Sequence, residues 1–354
     1  MPRIVAIEPV VPEHVIEQSE AAEIVRGLFA NSFKDIDRLL PIFANTEIDR
    51  RYSCMPPEWF QRNHSFAEKN RLYFTHALQL CENAVRRLLA RSEIAPEEID
   101  HIFFISTTGV TTPSLDAHLL NRLRLAPNIR RTPIWGLGCA GGVAGIARAA
   151  DWLKAYPAKN ALVVAVELCS LTFIRNDISK SNFVATSLFG DGAAAVLLAG
   201  DDCKLRQRRM IGVTASDSIT WPDSLDVMGW EINHDGLKVL FSRDIPTIVQ
   251  QSARPAVLQF LAQQGVTLAD LAACVSHPGG AKVIRAYEAA LELAPAQTKH
   301  MWTVLRKFGN MSSVTVLFVL HEFLQSPDFR RGATTFSSTL GPGFTSEMFL
   351  GACL

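Results

Sequence analysis

The chain has 354 residues, of which 48% are hydrophobic and 20% are charged, so it can enclose a large core as two domains or one doubled fold. Lysine plus arginine and aspartate plus glutamate both total 35, which gives no global field that would attract nucleic acid. The apolar runs are too short to cross a bilayer, and the start does not resemble a signal peptide. The seven cysteines are scattered without a Cys-x-x-Cys pair. We therefore expect a cytoplasmic globular protein with reduced thiols, no zinc or other metal site and no membrane span.

Helices and strands alternate along the first half of the chain. Apolar residues recur at helical spacing over 65–92, and residues 101–105 form a short apolar run typical of a buried strand. A helix at 115–125, a helix at 142–156 and a strand at 161–167 follow. This alternation predicts a mostly parallel sheet with helices on its faces.

The pattern loosens between about residues 204 and 235, and we place the junction of two halves there, giving units of 1–210 and 211–354. The second half is predicted to contain helices at 244–264, 281–293, 297–308 and 312–325, with strands at 273–276, 333–339 and 344–353. Since no low-complexity linker separates the halves, we expect them to pack together with a site between them.

Cys139 lies in Gly136-Leu-Gly-Cys-Ala-Gly-Gly142, just before a predicted helix. Small neighbours would let the reacting carbon of a substrate approach the sulfur. A helix that begins after Cys139 would direct free N–H groups and the positive end of its dipole towards a thiolate. A cysteine considered alone is more often a buried structural residue, so the rest of the chain has to support this role.

Two later segments also place a reactive polar residue beside glycine. His277 occurs in Ser276-His-Pro-Gly-Gly280, and Asn310 occurs in Gly309-Asn-Met-Ser-Ser313. Cysteine supplies a nucleophile, an imidazole can hold it as a thiolate, and an amide can donate to an oxyanion. Each residue also has an ordinary explanation, His277 as a core histidine and Asn310 as a helix N-cap. In combination they indicate acyl transfer.

These motifs, in this order and spacing, resemble the type III polyketide synthases, the chalcone-synthase-like group of the thiolase-fold condensing enzymes. The resemblance covers nearly the whole chain and includes Leu188-Phe-Gly-Asp-Gly-Ala-Ala194 and the Gly341-Pro-Gly343 loop. It implies an α/β, thiolase-like fold, layered αβαβα from two similar halves. It also implies that Cys139 carries the growing acyl chain, while His277 and Asn310 act in the decarboxylation of malonyl-CoA.

Decarboxylation leaves an enolate, whose charge accumulates on the thioester oxygen, so two fixed donors there stabilise the transition state more than the ground state. His277 and Asn310 are suitable donors. A charged imidazole beside Cys139 would also form a thiolate–imidazolium pair that lowers the pKa of the thiol. We expect this pair in the resting enzyme.

The resemblance further implies the walls of an elongation cavity. Phe189 falls at the gatekeeper position between the CoA tunnel and the cavity, and Val239 falls at the second gatekeeper position, which is therefore expected to be more open. The other expected lining residues are Thr107, Thr108, Cys169, Thr172, Ala185, Trp230 and Ser312. The loop of Gly341, Pro342 and Gly343 is expected to shape the wall beside the cysteine. Compared with plant enzymes, Cys169 makes the wall more apolar and Trp230 narrows it.

The stretch Met228-Gly-Trp-Glu-Ile232 and residues 241–246 resemble bacterial members that use long fatty acyl starters and make alkylpyrones or alkylresorcinols. The substrates implied are malonyl-CoA and an acyl-CoA, with no further cofactor. A long apolar tunnel would contribute about 0.8 kcal/mol per buried methylene. Arg38 and Lys282, with Arg50 and Arg51 nearby in sequence, are candidates to bind the CoA phosphates. Thr112-Pro113 falls at the subunit contact of the family, which implies a homodimer.

Three alternatives have to be weighed. A papain-like cysteine hydrolase uses the same residue types in the same order, but alanine follows Cys139 where that family has an aromatic residue. A ketoacyl synthase III-type enzyme shares the fold and the trio, and its dependence on a carrier protein would distinguish it. A catalytically inactive scaffold is the third, and the intact trio argues against it.

Overall fold

A nine-stranded sheet runs through both halves of the molecule, with two short two-stranded sheets beside it. The computed structural model describes residues 1–29, 36–241 and 245–354, apart from the side chains of residues 245 and 246. The strands are β1 (Arg3–Val10), β2 (His14–Glu17), β3 (Arg50–Ser53), β4 (His101–Ile105), β5 (Arg130–Ile134), β6 (Asn160–Leu168), β7 (Asp191–Ala199), β8 (Ile211–Thr220), β9 (Met228–Asn233), β10 (Gly236–Phe241), β11 (Leu271–Cys274), β12 (Thr334–Gly341) and β13 (Thr345–Cys353).

Eleven α-helices lie between the strands in the described residues. They are α1 (Gln18–Phe29), α2 (Pro41–Asn45), α3 (Phe66–Ser92), α4 (Leu115–Leu123), α5 (Gly141–Ala155), α6 (Lys180–Leu188), α7 (Ile245–Ile248), α8 (Arg254–Gln263), α9 (Ala281–Leu291), α10 (Pro295–Phe308) and α11 (Thr315–Gln325). Within the described ranges, no helix combines the length and the apolar composition needed to span a membrane.

The order of the large sheet is β11-β12-β13-β8-β1-β7-β6-β4-β5. Only β4 with β5, β4 with β6 and β11 with β12 pair in parallel, and the other five pairs are antiparallel. The predicted mostly parallel sheet is therefore wrong. One reason is the short Gly341–Thr345 connection, which makes β12 and β13 an antiparallel hairpin. The other is β1, which the sequence analysis did not predict and which joins β7 of the first half to β8 of the second.

The layers follow from strands that are buried on both faces. In β6, Val163 and Ala165 pack in the core cluster that contains α5 and α11, whereas Leu162 and Val164 pack in the cluster that contains α3. Across β12, the Thr339 hydroxyl donates to Ala140 on the α5 side, and neighbouring strand residues face α8 and α9. The central helices thus lie between two sheet regions with further helices outside, which confirms the layered thiolase-like fold.

Most predicted elements are present with shifted ends. The helix predicted for 65–92 is α3, whose N-cap Ser65 accepts a hydrogen bond from the Glu68 amide at 3.2 Å. The loosened region at 204–235 contains β8 and β9, which were not predicted. Residues 242–244 lie outside the described residues. They belong to the motif at 241–246, and residue 244 begins the helix predicted for 244–264. The division at residues 210 and 211 stays a prediction.

Helix α5 approaches its neighbours so closely that glycine is required on its inner face. A Cβ on Gly142 would lie 2.2 Å from the carbonyl oxygen of Ser313 and 2.6 Å from a Val316 methyl carbon. A Cβ on Gly145 would lie 2.7 Å from Ile105. Because backbone blocks the space at Gly142, α5 can reach the Ser313 segment only with glycine at this position.

The substitution Gly142→Ala should lower the free energy of unfolding by about 1–3 kcal/mol, as overpacking of a core does. A matched helical control is Gly27→Ala in α1, where no heavy atom of the described residues lies within 4 Å of the new Cβ. That variant should be more stable by roughly 0.5–1 kcal/mol, because alanine favours helix. Urea unfolding of both variants measures the difference. An unfolding free energy for Gly142→Ala at or above the wild-type value would contradict the packing described.

Candidate active site

Cys139 sits in a single turn, Gly138–Ala140, that leads directly into α5. The turn requires glycine, because Gly138 has φ +46° and a Cβ there would lie 2.8 Å from Pro342. The Gly138 amide donates to the Thr107 hydroxyl at 3.1 Å, which ties the turn to the end of β4. The position of the sulfur is thus fixed by the backbone on both sides.

The Gly-Pro-Gly loop packs against this turn. A Cβ on Gly341 would lie 2.5 Å from the carbonyl oxygen of Leu137 and 2.7 Å from the Cβ of Ala140. Gly343 has φ +127°, a conformation that favours glycine. The loop therefore packs directly against the Cys139 turn, and its role as a wall of the cavity stays a prediction.

The Cys139 thiol is 9% exposed, and burial raises its pKa to about 12. Hydrogen bonding from Ser312 and Asn310 acts in the opposite direction, and the negative charge of Glu167 adds to the increase. The side chains of Ser312 and Asn310 therefore lie within reach of the sulfur, so the structure brings both of these predicted residues to the cysteine.

Asn310 connects three parts of the site. Its Nδ2 donates to the Gly279 carbonyl at 3.0 Å, two residues beyond His277, and its Oδ1 accepts from the Ser312 amide at 2.8 Å. Its backbone pairs with the segment around Phe189, because the Asn310 amide donates to Leu188 at 2.9 Å. An amide nitrogen carries two hydrogens, so one remains after the Gly279 bond.

His277 follows β11 and is 5% exposed. Its backbone amide donates to Ser338 of β12 at 2.9 Å, but neither ring nitrogen has a hydrogen-bond partner among the described residues. Burial lowers the pKa of the imidazole to about 3. In this structure neither ring nitrogen bonds to the Cys139 sulfur, and burial favours the neutral form of each group taken alone, so the thiolate–imidazolium pair stays a prediction.

Glu167 is a residue of the site that the sequence analysis missed. At the end of β6 its Oε2 accepts hydrogen bonds from the Thr107 amide at 3.0 Å and from the Thr108 amide and hydroxyl at 3.1 and 2.8 Å. Its Oε1 accepts from the Ser313 hydroxyl at 2.6 Å. Burial raises the pKa of the carboxyl to about 7. A glutamate at the end of the apolar run 161–166 was the available signal, since charged side chains are rarely buried without partners.

An apolar pocket with a cavity volume of about 80 Å³ lies next to Phe189 and opens to solvent. Five of the predicted lining residues form its wall: Cys169, Thr172, Ala185, Phe189 and Val239. The other wall comes from α1, through Ala21, Ile24, Val25 and Leu28, together with Phe60 and Phe173. The sequence analysis did not predict α1 as part of this wall.

Other predicted lining residues have different places. Thr107 and Thr108 do not line this pocket, because their polar atoms serve the bonds to Gly138 and Glu167. Trp230 pairs with Val239 across the β9–β10 hairpin, and its ring lies 6.0 Å from that of Phe189. The Phe241 ring lies 5.8 Å from the Phe189 ring. Val239 therefore clusters with the rings of Phe189, Trp230 and Phe241, and the more open second gate stays a prediction.

The basic candidates for CoA binding are spread over the surface and the interior. Arg38 ends a short turn, Ile36–Arg38, and is exposed, and Lys282 is exposed in the first turn of α9. Arg51 is buried instead, and its Nη1 donates to the Thr186 and Phe189 carbonyl oxygens at 2.7 Å each. Arg51 is therefore not a surface contact for phosphate.

Comparisons with known proteins agree with this geometry. Residues 2–202 match the N-terminal domain of chalcone and stilbene synthases, and residues 213–352 match the C-terminal domain. A Bacillus subtilis (strain 168) protein named "Putative chalcone synthase" is 43% identical over 355 residues, 98% of this chain and 97% of that protein. "Alpha-pyrone synthesis polyketide synthase-like Pks18" of Mycobacterium tuberculosis is 29% identical, over 96% of this chain and 88% of that protein. The crystal structure of 1,3,6,8-tetrahydroxynaphthalene synthase from Streptomyces coelicolor, a bacterial type III polyketide synthase, covers 99% of both chains with a TM-score of 0.93 and 29% identity.

Replacing His277 by alanine should slow the alkylation of Cys139 by iodoacetamide at neutral pH. Burial opposes a thiolate at Cys139, so its formation needs a nearby base to take the proton, and His277 is a buried base without another partner. The rate is followed by mass spectrometry of the Cys139 peptide from about pH 6 to 9, a range that includes the ordinary pKa values of histidine (about 6.5) and cysteine (about 8.5). A variant with the wild-type rate and pH profile would rule out this role of His277.

The substitution Glu167→Gln should speed alkylation of Cys139 above about pH 7 and leave it nearly unchanged below about pH 6, since the wild-type carboxyl is then protonated. Glutamine can keep the contacts, with its oxygen towards Thr107 and Thr108 and its nitrogen towards Ser313. The folded-state pKa lies above the unfolded value, so the stability from protonated Glu167 is full below about pH 4.5 and is lost as pH rises through 7. The variant should therefore lose less stability than the wild type over that range. Identical alkylation profiles would show that the Glu167 charge does not reach the thiol.

Proposed function

The chain belongs to the chalcone and stilbene synthase family, and we propose that it extends a long-chain fatty acyl-CoA with malonyl-CoA and closes the product to an alkylpyrone or an alkylresorcinol. The coarser activity comes with the family: a type III polyketide synthase is an acyltransferase that condenses malonyl-CoA. The observation that carries the choice of starter is the apolar pocket between Phe189 and α1.

We assign the nucleophile to Cys139. Its thiolate attacks the thioester carbon of the starter, and the CoA thiolate leaves with its sulfur. Malonyl-CoA then loses carbon dioxide, and the electron pair of the broken C–C bond forms the enolate of acetyl-CoA. The enolate carbon attacks the Cys139 thioester, the cysteine sulfur leaves, and the chain, longer by two carbons, is held on CoA until it returns to Cys139.

The proposed donors to the enolate oxygen are His277 and Asn310. Asn310 retains one amide hydrogen, and both ring nitrogens of His277 are buried without a partner. Fixed donors of this kind act most strongly where charge develops in a water-poor site. Asn310 is held by Gly279, Ser312 and Leu188, so it is oriented before the substrate binds.

The charge state of Cys139 is proposed to depend on the same imidazole. Burial opposes thiolate and imidazolium separately, but a proton moved from the sulfur to His277 creates both charges together. Their attraction in a low-dielectric site offsets part of the burial penalty. The ion pair would then form when the side chains come into contact during turnover.

The pocket supports a long apolar starter. Its lining includes six apolar residues from α1 and its neighbours: Ala21, Ile24, Val25, Leu28, Phe60 and Phe173. Each buried methylene would contribute about 0.8 kcal/mol to binding, so chain-length preference follows the length of this wall. The name of Pks18 refers to alpha-pyrone synthesis, which supports a pyrone as one of the two ring closures.

The remaining assignments are proposals as well. Arg38 and Lys282 would bind the CoA phosphates from the surface, and the Gly341–Gly343 loop would shape the wall beside Cys139. The exposed side chains of Trp135 and Val110, at 51% and 39%, lie near the Thr112-Pro113 loop, and we propose that this apolar region contacts a second copy of the chain. The seven free cysteines support a cytoplasmic location.

The test is incubation of the purified protein with malonyl-CoA and an acyl-CoA series from hexanoyl to eicosanoyl, with mass spectrometry of the products. We expect tri- and tetraketide products that favour long starters. Ile24→Trp should shift the optimum to shorter chains. Binding of the starter should weaken about fourfold for each methylene that no longer fits in the pocket. The control is Leu225→Trp, on a residue that is 79% exposed, which should not move the optimum.

Three results would count against the proposal. Failure to extend any acyl-CoA, or extension only with a malonyl carrier protein, would contradict the polyketide synthase assignment. An unchanged chain-length profile in Ile24→Trp would remove the pocket under α1 from starter binding.

A further inference from the structure

Arg51, in β3, is a buried cation in the pocket wall, with an exposed fraction of 7%. Its Nη1 donates to the carbonyl oxygens of Thr186 and Phe189, both at 2.7 Å, at the end of α6. Its Nε donates to Gln18 Oε1 at 3.1 Å. The guanidinium therefore holds the backbone of the proposed gatekeeper, Phe189.

The aliphatic part of Arg51 contacts a second loop of the site. A Cβ on Gly309 would lie 2.8 Å from Cγ and 2.9 Å from Cδ of Arg51, and Gly309 has φ +68°. A Cβ on Gly190 would lie 3.5 Å from the Arg51 Cβ. The side chain thus passes between the residue before Asn310 and the residue after Phe189.

The loop around Phe189 and the loop around Asn310 are also hydrogen-bonded directly to each other, close to Arg51. The Asn310 amide donates to Leu188 at 2.9 Å, and the Gly190 amide donates to the Asn310 carbonyl at 3.0 Å. One side chain, Arg51, therefore braces a short backbone pairing that places the Phe189 ring and the Asn310 amide relative to each other.

The charge of Arg51 is kept at neutral pH. Burial lowers its pKa to about 10, and the negative charge of Asp191 acts in the opposite direction. Gln18 is fixed in turn, because its Nε2 donates to Thr46 Oγ1 at 2.8 Å and to the Ser187 carbonyl at 2.9 Å. A lysine has a single ammonium on a flexible stem and cannot reproduce the planar fork.

We propose that Arg51 is a positioning residue of the condensing site, which keeps the Phe189 and Asn310 loops in register and thereby sets how many malonyl extensions are completed before the chain is released. The inference rests on the proposed function, because it takes Phe189 as the gate and Asn310 as an oxyanion donor. It adds a determinant of product length that touches neither substrate nor sulfur.

The link to product length is kinetic. Loading of the starter needs chiefly the Cys139 sulfur and its proton acceptor, and Asn310 assists it only through its hydrogen bond to the sulfur, so loading depends on the Asn310 amide less than extension does. Each extension needs the enolate and the thioester to meet, and it competes with attack of water on the waiting thioester, which releases the chain as an acid. A displaced Asn310 slows extension more than loading, so release occurs after fewer steps.

The experiment compares wild type with Arg51→Lys, which keeps the charge, and Arg51→Met, which removes it. Arg87→Lys, on the exposed face of α3, is the matched control. Intact-protein mass spectrometry measures starter loading on Cys139, and product analysis with malonyl-CoA gives the extension rate and the ratio of triketide to tetraketide. Hydrogen exchange is followed in the peptides that contain residues 186–191 and 309–313.

In both Arg51 variants we expect faster exchange of the Gly190 and Asn310 amides and about tenfold slower extension, with starter loading within a factor of about two. The triketide share should rise, and Arg51→Lys should not restore the wild-type ratio. The Arg87→Lys control should match wild type in every measurement.

The outcomes separate the two claims. Unchanged amide exchange in both Arg51 variants overturns the positioning role whatever the substrate is. Equal losses of loading and extension, with an unchanged product ratio, would also overturn it, because that pattern shows only a loss of folded protein. A wild-type enzyme that extends no acyl-CoA while the Arg51 variants still loosen both loops would contradict the proposed function and leave the loop-bracing claim standing.

Discussion

The buried carboxylate of Glu167 is the contact on which the geometry of the site depends. It accepts four hydrogen bonds, three from Thr107 and Thr108 after β4 and one from Ser313 beside Asn310. Thr107 in turn accepts from Gly138, next to Cys139. A buried charge is unfavourable unless its hydrogen bonds are satisfied. Separating these segments would leave the buried carboxylate without its donors, so the hydrogen bonds hold the segments together. The cysteine of one half and the asparagine of the other are thereby placed by one side chain.

Close backbone packing supplies the second constraint. Gly138, Gly142 and Gly341 bring α5, the Cys139 turn and the Gly-Pro-Gly loop to distances that no side chain would allow. The strand β1 joins the two halves into one sheet, so the loops at the sheet ends cannot move independently. A rigid frame of this kind suits electrostatic catalysis, because donors that are already oriented need no reorganisation during the reaction.

Much of the fold near the cysteine could be predicted, because periodicity marks α3, β4, α5 and β6 directly in the sequence. Strand direction could not, since it depends on connections and on β1, whose partners lie nearly 200 residues away. The trio and five pocket residues were predicted from motifs. Glu167 and the burial of Arg51 were not, because whether a charged residue is buried depends on partners distant in sequence. The burial of His277, whose ring nitrogens have no hydrogen-bond partner among the described residues, has the same origin, since it cannot be derived from the neighbours of His277 in the chain.

The central claim is that Cys139 is the residue that carries the acyl chain. It is tested most directly by mixing the protein with palmitoyl-CoA in the absence of malonyl-CoA, quenching at neutral pH and locating the added palmitoyl mass by peptide mass spectrometry. The account predicts that the mass is on the peptide containing Cys139 and that Cys139→Ala carries none. Palmitoylation of another of the seven cysteines, or labelling that persists in Cys139→Ala, would contradict it.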